Sequence, residues 1–208
     1  LDSDYSWGQF TVTLGWRDAE THTRANDAFY EQYKAGTLDI QEYIRFSVAP
    51  LAEHGVERSD AAHRQFMDEV IRPAMKPQAI ELVRRHQAAG DQVLIVTATN
   101  EFVTRPIATA FGVPELIAID LERDAQGNPT GAIRGTPSFR EGKVARVEQW
   151  LAERGLDWSR VEHSTFYSDS INDLPLLEKV HEPVATNPDA RLTAIAAQRG
   201  WRILNLFE

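Results

Sequence analysis

The chain has 208 residues, 42% of them hydrophobic, enough to bury a core in one domain that carries an inserted subdomain. Its net charge of −9 excludes the nucleic-acid backbone as a main partner, but not a small phosphorylated metabolite, because a lysine, loop amides and a metal can reverse the field locally. Zero cysteines exclude disulfides and thiolate metal sites, and with no signal-like or membrane-length apolar stretch the expectation is a cytoplasmic enzyme with no membrane partner.

From about Tyr5 to Pro73 no segment alternates in the way a strand does. Apolar residues recur instead at helical spacing: Ala28, Phe29 and Tyr33, then Ile40, Tyr43, Ile44, Val48 and Leu51, then Phe66, Val70 and Ile71. Gly36, Gly55 and Pro73 punctuate these helices. From Pro77 onward helix and strand alternate. The pattern predicts a helix over 77–89 ended by Gly90, a strand over 92–96, a helix over 101–111 and a strand over 116–119. A hairpin turn follows at 124–129, then a helix over 143–154 and a strand over 165–168. The last elements are a helix over 174–180, a strand over 184–186, a helix over 190–199 and a strand over 203–207. Such alternation predicts an α/β fold, a doubly wound, Rossmann-like parallel sheet with ligands beyond the carboxyl ends of its strands. Residues 76–208 form that expected core, and 5–75 an all-helical cap.

Three segments carry chemistry. In Phe166-Tyr167-Ser168-Asp169-Ser170-Ile171-Asn172-Asp173, two carboxylates four apart follow an apolar stretch where a strand turns into a helix. That suits a magnesium corner, since a hard cation binds through one or two carboxylates with phosphate oxygens and water. It equally suits a plain helix cap. In Val96-Thr97-Ala98-Thr99-Asn100 a β-branched run ends in small hydroxyl and amide residues before a helix, which is either an anion cradle or again a cap. Lys143, in Arg140-Glu141-Gly142-Lys143, stands at the positive end of an amphipathic helix, where a cation either wants a counter-ion such as phosphate or is simply solvated surface.

In chain order, Thr97 after a strand, Lys143 at a helix start and the Asp169/Asp173 pair after another strand resemble the second, third and fourth motifs of the haloacid dehalogenase-like hydrolases. The resemblance is nearest to their phosphoserine-phosphatase-like branch and runs from about residue 5 to the C-terminus. It implies catalytic roles for Thr97, Lys143 and Asn172, a magnesium ion on Asp169 and Asp173, and substrate contacts from Ala98, Thr99 and Asn100. It also implies that the helical segment is a cap inserted after the first strand, closing over the pocket. Arg45, amid apolar neighbours in that cap, suits a substrate carboxylate, or else a surface salt bridge to Glu42 or another acid. The implied reaction is hydrolysis of a small phosphomonoester, phosphoserine-like or another amino-alcohol phosphate, through an aspartyl-phosphate. The motif that supplies the aspartate, Asp-x-Asp-x-Thr at the end of a buried strand, is absent. Asp2-Ser3-Asp4 imitates its spacing without the strand, so Leu1 is expected to fall just past the motif and the chain as given to be inactive. The alternative is a non-catalytic member of the fold that binds a phosphorylated ligand or a protein. The six histidines, His22, His54, His63, His86, His163 and His181, show no metal-ligand spacing and read as surface or incidental positions, whereas Trp7 and Trp16 read as packing or else as substrate-pocket wall.

Overall fold

The structure, a computed structural model, describes residues 2–207. Helices α1 (Ser3–Thr13), α2 (Ala19–Ala35), α3 (Ile40–His54) and α4 (Val56–Phe66) come first. A π-helical turn, Met67–Ile71, and the short α5 (Arg72–Ala74) continue α4. Then follow α6 (Pro77–Ala89), β1 (Leu94–Asn100), α7 (Glu101–Ala110), β2 (Glu115–Ile119), β3 (Leu121–Arg123) and β4 (Pro129–Ile133). The remainder is α8 (Glu141–Ala152), β5 (Thr165–Ser168), α9 (Leu174–Leu177), β6 (Glu182–Thr186), α10 (Ala190–Arg199) and β7 (Arg202–Leu204), with 3-10 turns at Trp158–Arg160 and Ile171–Asp173. Among the described residues no helix is long and apolar enough to cross a membrane.

Local chemistry sets the boundaries. Asp18, Asp39 and Asp189 cap α2, α3 and α10 by accepting from backbone N–H groups. Gly90 ends α6 at φ 86°, a left-handed conformation in which a Cβ would be strained. The predicted helix over 174–180 is one turn of α9, and the predicted last strand stops at Leu204 rather than Phe207.

The mixed α/β fold has the expected parallel strands joined by helices, but they lie in two sheets rather than one. β1 pairs with β2 across α7, and β5, β6 and β7 pair in chain order across α9 and α10. β3 and β4 form an antiparallel hairpin. β1 and β5 therefore each have one hydrogen-bonded neighbour among the described residues. Leu94 to Thr99 are only partly buried, although their composition is that of a strand covered on both sides.

Among the described residues two compact units result, one holding residues 2–75 with Val93–Pro137, the other Lys76–Gln92 with residues 138–207. This division differs from a cut between a cap ending at 75 and a core beginning at 76. The reason is packing: Trp7, Phe10, Ile44, Phe66 and Ile71 share one core with Val103, Ile107, Ile119 and Leu121. Trp7 is the hub, its ring 5.2 Å from Phe66, 5.6 Å from Phe102 and 5.4 Å from His63. His22 and His63 are buried, not surface, residues. His63 bonds through Nε2 to the Val103 carbonyl oxygen, and His22 stacks on Phe46. Burial lowers the pKa of both, favouring the neutral ring. The second unit has its own core of Leu177, Ala185, Leu192 and Ala196. In it α6 is tied to β5 by a 2.8 Å bond between His86 Nε2 and the Tyr167 hydroxyl.

Candidate active site

β5 is short, β-branched and aromatic, and its last residue begins a network that shapes the following turn. The Ser168 hydroxyl accepts from Ser170 N at 3.1 Å and donates to Asp173 Oδ2 at 2.7 Å. The Ser170 hydroxyl in turn accepts from Asn172 N, so Ser170 caps the 3-10 turn. Asp173 stands at the cap position of α9 but bonds no N–H there. The capping reading of this run thus holds for Ser170 and fails for Asp173.

The other oxygen of Asp173 meets Lys143. The ammonium lies 2.5 Å from Oδ1, and Lys143 is only 5% exposed in the first turn of α8. The counter-ion that a cation at this helix end demands is therefore inside the protein, and phosphate is not needed to supply it. Both oxygens of Asp173 are engaged, and its carboxylate fixes the lysine in place.

Asp169 behaves differently. No other side chain among the described residues bonds to it. Desolvation raises its pKa above the usual carboxylate range, the charge of Asp173 raises it further, and Lys143 opposes them. A cation beside Asp169 would relieve both penalties. Among the described residues no three of His, Asp and Glu gather into a closed metal cage. One or two carboxylates with phosphate oxygens and water is nonetheless the ordinary way magnesium is held, and the donor set fits it.

The other expected residues lie on the first unit. Thr97, Ala98 and Thr99 fall within β1 rather than in a loop after it, at a break in the ladder: Val96 pairs with Ile117 and Asn100 with Ile119, so the intervening residues bulge. Bulges of this kind re-aim side chains at the ends of strands. Thr97 Oγ1 accepts from Thr99 N at 3.1 Å, which leaves its own proton to donate. Asn100, 1% exposed, caps α7 by accepting from Val103 N. Its side-chain oxygen is thereby engaged, and the capping reading holds for Asn100. Arg45 is exposed on α3 with no ion pair to Glu42 or any other acid among the described residues, and its Cγ would lie 3.4 Å from a Cβ placed on Gly131 of β4.

The lookalike Asp2-Ser3-Asp4 lies at the start of α1, not at the end of a strand. Asp2 accepts from Tyr5 N, and Asp4 receives the Tyr43 hydroxyl at 2.5 Å. Sequence reasoning passed over Arg140, whose Nε donates to Asn172 Oδ1 at 3.2 Å. Its signal was a second cation three residues before Lys143; what that cation touches depends on a turn far away in the chain.

The sequence model of the haloacid dehalogenase-like hydrolases matches residues 1–178. The chain is 45% identical over 204 residues to a histidinol-phosphatase of Neisseria meningitidis serogroup C (strain 8013), covering 98% of this chain and 92% of that one. It is 32% identical over 188 residues to phosphoserine phosphatase SerB1 of Mycobacterium tuberculosis (strain ATCC 25618 / H37Rv), covering 90% of this chain and 60% of that longer one. A crystal structure of a protein of unknown function from Bordetella pertussis Tohama I superposes with a TM-score of 0.93 at 50% identity, covering 100% of this chain and 93% of the other. A phospho-aspartyl intermediate analogue of phosphoserine phosphatase has a TM-score of 0.63 at 16% identity, covering 96% of this chain and 85% of that one, a likeness of fold alone.

Proposed function

Because the chain belongs to the haloacid dehalogenase-like hydrolases, we propose that it is a magnesium-dependent phosphatase acting on a small amino-alcohol phosphate. The observation that carries this reading is the buried Lys143–Asp173 pair beside an Asp169 carboxylate that no other side chain engages. A lysine locked by an internal carboxylate cannot swing away, so its charge is pre-organised where phosphoryl charge develops, which is most of what protein contributes to this reaction. Asp169 and Asp173 would hold the magnesium, directly or through water, and the ion when bound would neutralise phosphoryl oxygens. On the first unit, Thr97 keeps a proton to donate, and Ala98 and Thr99 line the same bulge. Arg45, with no acid partner, is the candidate for a substrate carboxylate. The sequences named histidinol-phosphatase and phosphoserine phosphatase support a small amino-alcohol ester as substrate.

The 208 residues contain no Asp-x-Asp-x-Thr, so the aspartyl nucleophile in this reading comes from outside them. Phosphate release from a panel including histidinol phosphate and phosphoserine, with magnesium or with chelator, tests the reading on a chain extended upstream through that motif. Magnesium-dependent turnover of at least one ester is expected. No turnover of any ester would favour a phospholigand- or protein-binding role instead.

A further inference from the structure

The charges at the end of β5 do not balance in favour of a phosphate. Lys143 is paired with Asp173 at 2.5 Å, and Asp169 adds a carboxylate, so these three groups sum to one negative charge when ionised. A phosphomonoester brings about two more at neutral pH. Even with a magnesium ion on Asp169 and Asp173, a bound ester would leave about one net negative charge, and Arg140 is placed to offset it.

Arg140 occupies the N-cap position of α8, three residues before Lys143, with φ 51° and ψ −122°. Glycine would take this conformation freely, whereas a residue with a Cβ is strained in it. A side chain is thus kept here against the preference of the backbone. That side chain is half-buried, its guanidinium lies 4.9 Å from the centroid of the Phe139 ring, and Nε donates to Asn172 Oδ1. Asn172 is itself 8% exposed and adjacent to Asp173. The two terminal nitrogens have no hydrogen-bond or carboxylate partner among the described residues. An arginine aimed by its Nε and stacked on a ring, with its terminal N–H groups open, presents the planar fork that receives two oxygens of one phosphate.

We propose that Arg140 is a second phosphate-binding residue of this site, held by Asn172 so that its terminal N–H groups receive two phosphoryl oxygens. The assignment rests on the phosphatase reading, but its test does not need turnover. Orthophosphate is titrated by calorimetry, with magnesium present, into the full-length protein and its Arg140→Gly and Arg140→Lys variants, and melting temperatures are recorded for all three. A binding role predicts that Arg140→Gly, which relieves the backbone strain, melts no lower than the parent yet binds orthophosphate at least tenfold more weakly, with Arg140→Lys between them. Binding within twofold of the parent in Arg140→Gly would overturn the proposal, as would an unmodified protein that binds no orthophosphate. A fall in melting temperature together with affinity in Arg140→Gly would also overturn it, since that is the mark of a merely structural residue. Ester hydrolysis by the same full-length protein separates the two readings. Turnover with unaltered phosphate binding in Arg140→Gly removes only Arg140 from the site, and Arg140-dependent phosphate binding without any turnover removes only the phosphatase reading.

Discussion

Lys143 is both the cation of the candidate site and a buried half of an ion pair, so removing it has two consequences. In a catalytically complete chain Lys143→Ala should lower kcat by about 10²-fold or more, roughly 3 kcal/mol of lost charge stabilisation. It should also destabilise the fold by about 3–5 kcal/mol, because Asp173 is left buried without its counter-ion. Adding Asp173→Asn should recover part of that stability and none of the activity. Urea unfolding beside steady-state kinetics checks both. Asp4 illustrates the opposite electrostatic case. Desolvation pushes its pKa up to about 6, against the hydrogen bond from Tyr43 and with the charge of Asp2 adding to the rise. The folded state therefore holds this proton more tightly than the unfolded chain, and Asp4's contribution to stability is largest below about pH 4 and lost as pH rises to about 6. Asp4→Asn should stabilise the protein at pH 8 by at most about 3 kcal/mol and have little effect at pH 4. Equal shifts of the denaturation midpoint at the two pH values would contradict this account.

Among the elements, α1 and α4 do more than form part of a lid, because their rings fill the core that α7 and β2 also face. Phe66 is fully buried and touches Trp7, Phe10 and His63. Phe66→Ala should cost about 3–5 kcal/mol, read as a drop in the urea midpoint. α1 and α2 approach closely at Gly8, where an added Cβ would come within 2.8 Å of His22 Nε2. His22 is held in turn by Arg17, whose guanidinium also reaches the carbonyl oxygens of Phe46 and Ser47. Gly8→Ala must therefore displace a buried ring or part the two helices, and should lower the melting temperature although alanine is the better helix former. A variant melting higher than the parent would show that the ring moves aside at no cost. The neighbouring α3 was legible from the spacing of Ile40, Ile44, Val48 and Leu51, three of which are fully buried. The burial of His22 and His63 was not, since a polar residue's burial depends on partners such as Arg17 and Val103 that spacing does not reveal.

For the whole molecule, the parallel strands form a two-stranded and a three-stranded sheet, and the sequence holds no nucleophile motif. The chain as given should release no phosphate from any ester, even with excess magnesium, because a cradle and a metal corner do not replace a nucleophile. A chain extended upstream through an Asp-x-Asp-x-Thr strand should do so. Equal activity in the two would overturn the reading.

The sequence by itself determined the alternation of helix and strand from Pro77 onward, the all-helical character of residues 5–75 and the three motifs Thr97, Lys143 and Asp169/Asp173. It could do so because periodicity, caps and turn glycines act over a few residues. It left the Thr97 and Asp169/Asp173 segments suspended between a cap and a ligand site, since both readings use the same residue types at the same spacing. Only the tertiary structure decided these cases, making Ser170 and Asn100 caps and giving both oxygens of Asp173 to Lys143 and Ser168. Arg140 likewise acquired its role from Asn172, a residue on a different turn. The physical reason is that a carboxylate or guanidinium takes its function from whatever charge and hydrogen-bond donors surround it, and those neighbours come from segments that only folding brings together.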